Sequence, residues 1–240
     1  MKPKAPWIQY LFSVAVVHAC RNILPSSVAK SVVIKWPNDI YAQVKNEKGE
    51  VILLKKIGGI LVNLCYDGKD TFAIIGMLQP FSCYPNANLI YKGCGLNVLT
   101  DSPVYSLSQL PGVKKSDLSI EKTAATIMAI FSSYWARWVA GNGKFDEFRD
   151  QYYDYWIHSY VMLPSAKPSC TVDLTLIFLS DQLVTLETAT PHKKVRITGL
   201  DDIGYLLTMP DPRAPGDPDT ITLDYMSNSF DMMGSLIRKK

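Results

Sequence analysis

The sequence predicts an α+β protein in two parts, with residues 1–156 mixing helices and strands and residues 157–240 forming a small all-β module. Three features lead to this. A helix-period apolar stretch near the N terminus runs directly into the β-branched Val32-Val33-Ile34. Two aromatic-rich helical patterns follow residue 119, and from His158 onward the character changes to short β-like runs broken by Pro and Gly. At 240 residues and 48% hydrophobic, the chain is long and apolar enough for one large core and one small one.

Charge and sulfur narrow the function classes. The 25 basic and 22 acidic residues are interspersed, so the net +3 offers no electrostatic basis for nucleic-acid binding. Only Arg238-Lys239-Lys240 is locally basic, and it is expected to be a frayed end. The five cysteines are odd in number and lack Cys-x-x-Cys spacing, which reads as reduced thiols in an intracellular protein. His18, His158 and His192 lie far apart without ligand-spaced partners, so a zinc site is not expected.

Taken in order, Lys2 and Lys4 before residues 11–17 have the look of a secretory leader, but Gln9, Ser13 and His18 interrupt the apolar run. Trp7, Tyr10, Leu11, Val14, Val17 and His18 recur at helical spacing, predicting a core-packing helix and no export. No apolar run reaches the roughly 20 residues that span a bilayer, so no membrane association is expected. Pro25-Ser26-Ser27 predicts a turn into a strand over 31–36, where Pro37 cannot donate to a ladder and Asn38 and Asp39 emerge at the strand end. Residues 41–50 read as an exposed hairpin loop around Gly49. Lys56 and two glycines then precede a predicted strand over 60–64, joined through Asp67-Gly68 to another over 71–75.

Ser119 is the predicted N-cap of a long helix with Glu121 in its first turn. Ala124, Ile127, Met128, Phe131, Trp135 and Trp138 are read as its core face, and Gly141-Asn142-Gly143 as its stop. Phe145, Phe148, Tyr152, Tyr155 and Trp156 predict a second core helix. Strands are expected over 183–188, 195–200, 205–209 and 220–225, with Asp201-Asp202-Ile203-Gly204 as a turn.

The chemistry concentrates in Lys35-Trp36-Pro37-Asn38-Asp39-Ile40 and Lys56-Ile57-Gly58-Gly59-Ile60-Leu61-Val62-Asn63, which set one carboxylate and one cation on a shared cleft beside glycines that admit a ligand. Singly, Asn38-Asp39 is an ordinary Asx turn and Lys56 a solvated hairpin residue. Jointly, these segments resemble the central signature of biotin protein ligases, the holocarboxylase synthetases. Gly93-Cys94-Gly95-Leu96-Asn97-Val98 resembles that family's Gly-x-Asn-Val segment. Trp156-Ile157-His158-Ser159, residues 199–206 and Ser229-Phe230-Asp231-Met232 resemble the eukaryotic type.

The resemblance implies a class II synthetase-like mixed sheet with packed helices, here a partial catalytic domain over 1–156, and an SH3-like domain over 157–240. It implies ATP-dependent activation of biotin to biotinyl-5′-AMP, then transfer to a lysine of the biotin carboxyl carrier domains of carboxylases, in the cytoplasm. Lys56 and Asp39 are the implied catalytic residues. Lys56, Gly59, Gly95, Asn97 and Asn38 are the implied ligand contacts, with Asn97 reading adenine and Asp39 holding Mg²⁺ or serving the acceptor lysine. A lipoate-ligase-like protein modifier and an inactive remnant that binds carboxylase domains are the competing readings. The Trp-Pro-Asn-Asp segment and the β domain favour biotin over lipoate.

Two segments depart from the family pattern, 77–92 and 162–180, which interrupt places where it runs continuously. They read as translated non-coding sequence or as irregular surface loops. The family's glycine- and arginine-rich biotin loop would precede the first residue of this chain. The chain alone is therefore expected to bind biotin weakly and turn over little.

Overall fold

A computed structural model describes residues 5–49, 51–66, 71–74, 95–101, 103–158, 182–188, 190–224, 227–231 and 235–239. The chain divides into two compact units, Met1–Trp156 and Ile157–Lys240.

In the first unit, α1 (Ala5–Ile23) and the short α2 (Ser26–Ala29) lead into β1 (Val32–Lys35), β2 (Asp39–Lys45) and β3 (Val51–Gly59). The strand β6 (Gly95–Leu96) completes an antiparallel sheet of order β1-β2-β3-β6, while β4 (Asn63–Tyr66) and β5 (Thr71–Ile74) form a separate antiparallel pair. Two longer helices follow, α3 (Ile120–Ala140) and α4 (Asp146–Tyr155).

The predicted core helix is α1, but its burial is not confined to one stripe: every residue from Trp7 to Val17 is buried. It packs against β1 as well as α3 and α4, so all its faces meet protein. Each fully buried aliphatic side chain there contributes about 1.5–3 kcal/mol. Ser13, on this buried stretch, satisfies its hydroxyl by donating to the Gln9 carbonyl at 2.8 Å. An aromatic cluster closes the bottom of the core, with Trp7 stacked on Phe145 at 4.5 Å and Tyr10 against Tyr152 at 5.2 Å.

Helix α3 starts where the cap predicts, the Ser119 hydroxyl accepting from the Lys122 N–H at 3.2 Å. Ser119→Ala should cost about 1 kcal/mol. Denaturant titration would reveal it as a lower midpoint at unchanged slope. At the other end, Asn142 takes φ 55° and Gly143 N–H reaches the Trp138 carbonyl at 2.8 Å, so the left-handed stop falls on the asparagine. The core face of α3 is displaced from the expected one. Thr123, Ile127, Tyr134 and Trp138 are buried, whereas Met128 is 50% exposed. Tyr134 takes the inner position because its hydroxyl is met by His18 Nδ1 at 2.6 Å and donates to Gln151 Oε1 at 3.0 Å. The second helix packs as expected, with Phe145, Phe148, Tyr152, Tyr155 and Trp156 all buried.

Three local expectations are revised. Residues 26–29 are a helical turn, α2, and not a simple Pro-Ser turn. The supposed loop over 41–50 is half strand: β2 continues to Lys45 and pairs with β3, which begins at Val51, while the expected turn around Gly49 is confined to 46–49, with Gly49 N–H donating to the Asn46 carbonyl at 2.9 Å. Its polar residues Tyr41 and Gln43 alternate with Ile40 and Ala42, the period-2 pattern of a strand with one core face. The glycines belong to the end of β3, and residues 60–62 are irregular before β4. The turn at Asp67-Gly68 and the segments 77–92 and 162–180 lie outside the described residues.

The second unit is a single six-stranded sheet of order β10-β9-β8-β7-β12-β11. Its strands are β7 (Leu183–Leu186), β8 (Lys193–Leu200), β9 (Leu206–Pro210), β10 (Ile221–Leu223), β11 (Asn228–Asp231) and β12 (Leu236–Lys239). The turn before β9 is built on Asp201, whose carboxylate accepts from the Ile203 and Tyr205 N–H groups at 2.9 and 2.8 Å, with Gly204 at φ 88°. Arg238 and Lys239, expected to fray, are held in a strand. Arg238 and Lys239 lie in β12, which pairs antiparallel with β11 and parallel with β7, and Arg238 Nε meets Glu187 Oε2 at 2.6 Å. His158 is buried against the Phe230 ring at 5.0 Å and meets Gln182 Oε1 at 2.6 Å, which joins two of the sequence segments singled out above.

Candidate ligand face of the N-terminal sheet

Trp36 fixes the turn that presents the site. It is fully buried and its indole N–H donates to the Tyr10 hydroxyl at 3.0 Å, tying the β1–β2 turn to α1. Asn38 ties the same turn to the end of β3. Its side-chain amide donates to the Ile60 carbonyl at 2.7 Å, while Ile60 N–H returns a bond to the Asn38 carbonyl at 2.7 Å. Asp39 therefore starts β2 from a position clamped on both sides.

Cross-strand register then aligns the predicted residues. Lys35 pairs with Asp39, Asp39 with Gly59, and Gly59 with Gly95, one row crossing all four strands. Directly paired residues share a face, so these four lie together on the side opposite Ile40 and Ala42, whose side chains are buried. A bulge between Ile40 and Tyr41 shifts the ladder so that Tyr41 pairs with Lys56, which brings Lys56 to the same face. Its ammonium reaches Asp39 Oδ1 at 2.5 Å. The aspartate side chain is 19% exposed and the lysine 53%, so the carboxylate is held within the sheet while the cation remains open to solvent. An ion pair this open contributes at most about 1 kcal/mol to stability.

The glycines do different jobs. A Cβ on Gly59 would sit 3.3 Å from Asp39 Oδ1 and 3.7 Å from Lys56 Nζ, so the missing side chain leaves room on the charged face. A Cβ on Gly58 would meet the Gly95 carbonyl oxygen at 2.5 Å. Gly58 thus lets β6 approach β3, a requirement visible in the sequence only as the second half of a glycine pair. Gly58→Ala should separate β6 from β3 and cost about 1–3 kcal/mol as an overpacked site, more than Gly59→Ala. Comparing the two midpoints in urea would test this, and a smaller loss for Gly58→Ala would count against it.

Asn97 follows β6 and is held by its surroundings. Its N–H donates to the Ile57 carbonyl at 2.7 Å, its carbonyl accepts from Leu107 N–H at 3.0 Å, and its side-chain amide donates to the Tyr105 carbonyl at 3.1 Å. The side-chain oxygen is the atom left for a ligand. For metal, Asp39 supplies one carboxylate already engaged by Lys56, and no group of three or more His, Cys, Asp or Glu that could hold an ion occurs among the described residues. This donor set fits a Mg²⁺ ion that arrives on nucleotide phosphates, for which one or two carboxylates suffice.

Residues 2–79, which include Lys35, Asp39, Lys56 and both strand-end glycines, match the biotin/lipoate A/B protein ligase family. The human biotin–protein ligase is 30% identical over 247 residues, covering 99% of this chain and 26% of that protein. The Schizosaccharomyces pombe biotin–protein ligase is 29% identical over 243 residues, covering 97% and 32%. The likeness to that family model thus covers about a third of the chain, and the likeness to biotin–protein ligases covers nearly all of it. It spans about a quarter to a third of the length of these curated relatives. An apo biotin protein ligase from Aquifex aeolicus superimposes with a TM-score of 0.55 at 15% identity, covering 92% of this chain and 73% of that one. The expected class II synthetase-like α+β fold of the ligase family is thereby shared. Among the described residues, no helix is long and apolar enough to cross a membrane.

Proposed function

We propose that this chain carries the adenylation face of a biotin–protein ligase, which activates biotin with ATP and passes it to a lysine on a biotin carboxyl carrier domain. The observation that carries the reading is the Asp39–Lys56 pair lying over a floor of Gly59 and Gly95. Acyl-adenylate formation brings a carboxylate to an α-phosphate, two anions whose approach must be neutralised in a poorly hydrated site. Lys56, exposed at its ammonium, can leave Asp39 and bridge both anions. Asp39, released by that exchange, becomes available to orient the acceptor lysine in the second step. Mg²⁺, when bound with the nucleotide, would supply further neutralisation of the phosphates, with Asp39 as its protein ligand. The glycine floor admits the ligand to within contact of backbone, and Asn97 offers its side-chain oxygen to the adenine amine. A cytoplasmic setting accords with the reduced thiols that the cysteine pattern predicts.

The assay is direct. The chain, alone and joined to the upstream segment of the Schizosaccharomyces pombe relative, is incubated with ATP, biotin and a biotin-acceptor domain, and the acceptor is weighed by mass spectrometry. The joined form should add one biotinyl group. Addition of lipoyl in preference to biotin would move the assignment to the lipoate branch, and no addition with intact folding would establish a binding remnant.

A further inference from the structure

The strand β3 runs from the ligand row into an arm that the reaction described above does not use. Among the described residues, β1 accompanies β2 only as far as Ala42, and β6 meets β3 only at Gly58 and Gly59. Beyond both neighbours, β2 and β3 continue as a two-stranded ribbon. Such a ribbon is marginal on its own, and a solvated one is expected to carry polar side chains. This one carries Val51, Ile52 and Leu53 in succession, 44%, 63% and 41% exposed. Val44 pairs with Leu53 and Lys45 with Val51, so Ile52 is the extra residue of a bulge. Bulges re-aim the side chain they carry, and here that side chain is the most exposed of the three. Lysines frame this apolar centre. Lys45 pairs with Val51, Lys48 lies in the turn and Lys55 follows Leu54, and all three are exposed.

We propose that this arm is the docking surface for the acceptor domain, with Ile52 as its anchor and an apolar patch rimmed by carboxylates as its complement. The inference rests on the ligase reading, in which the second substrate is a folded protein whose lysine must reach the Asp39–Lys56 pair. Continuity with that pair is the first support. Ile52 and Lys56 lie four residues apart on β3, about 13 Å at the rise of a strand. A domain seated on Ile52 spans that distance, since 100 residues fold to a radius of gyration of about 13 Å. Charge is the second support. An apolar centre within a polar rim is the anatomy of an interface, and lysines in the rim select carboxylates opposite them. A second copy of this chain, paired arm to arm about a two-fold axis, would set the lysine rim against itself.

Calorimetry with an unmodified biotin-acceptor domain, and with ATP as a separate probe, tests the assignment on the wild-type chain, I52E and K48E. I52E should weaken the acceptor domain at least about tenfold, the value of one buried aliphatic side chain. K48E should weaken it about threefold and flatten its dependence on salt. Both variants should bind ATP within about twofold of wild type, because the arm lies off the nucleotide face. Wild-type affinity of I52E for the acceptor domain, or equal losses for acceptor domain and ATP, would overturn the docking role while leaving the ligase reading intact. A wild-type chain that binds ATP but no acceptor domain would do the same. A wild-type dimer that I52E separates into monomers would assign the arm to a second copy and refute the proposal. Failure of the wild-type chain to bind ATP would overturn the ligase reading and this inference with it. Should I52E not fold, amide hydrogen exchange on the wild-type protein decides: the acceptor domain should slow exchange over residues 51–54, and ATP should not. Exchange there that is unchanged by the acceptor domain refutes the proposal.

Discussion

Lys56→Gln should reduce biotinyl-adenylate formation on the order of 10²–10³-fold, the usual cost of removing one preorganised electrostatic contact from a transition state. The measurement belongs in the joined form, by pyrophosphate release in single turnover. Nucleotide binding should change far less, because the proposed contacts at the glycine floor and Asn97 do not involve Lys56. Supplying pre-formed biotinyl-adenylate should restore acceptor labelling substantially, since the lysine's work is then already done. Asp39→Asn provides the contrast. It should also slow the reaction, but through the proposed metal or acceptor-lysine role of Asp39, so added adenylate should rescue it only in part. Adenylate synthesis by Lys56→Gln at the wild-type rate would reduce Lys56 to a hairpin residue and remove the main support for the assignment.

Trp36→Ala should be the most damaging change to the fold, costing about 3–5 kcal/mol. The indole is fully buried, and its N–H is bound to the Tyr10 hydroxyl at 3.0 Å. Its removal leaves a cavity beneath the β1–β2 turn and takes a donor away from Tyr10. Against a domain stability of about 5–15 kcal/mol, that loss is enough to populate the unfolded first unit at moderate temperature. Trp36→Phe keeps most of the volume and should cost about 1–3 kcal/mol through the lost hydrogen bond. Guanidinium unfolding followed by tryptophan fluorescence separates the two variants. A loss below about 1 kcal/mol for Trp36→Ala would contradict the packing described for this turn.

Much of the site was legible from residue types. Pro37 ended a β-branched run, so polar Asn38 and Asp39 were expected at a strand end, and Asp39 does begin β2 there. Paired glycines signalled a close approach. The hairpin was harder to read, because Tyr41 and Gln43 face outward and a half-polar strand has the composition of a loop. Helix α3 was displaced because its inner face is chosen by hydrogen bonding. Tyr134 is buried where His18 and Gln151 meet its hydroxyl, and Met128 is left half exposed. The strands β11 and β12 escaped notice, since only pairing with β7, about fifty residues earlier in the chain, makes a short basic end part of a sheet.

By itself the sequence carried the resemblance to biotin protein ligases, the α+β class and the helix cap at Ser119. Each of these is settled by local chemistry or by residues close together in the chain. Only the tertiary structure decided that Lys35, Asp39, Gly59 and Gly95 form one row, that Asn38 clamps Ile60, and that Gly58 is the glycine against which β6 packs. Those facts depend on register, and a one-residue slip between strands would turn every side chain to the opposite face. Register is set where distant segments pair and one face is buried, as Ile40, Ala42 and Ile57 are here, and no single segment contains that information.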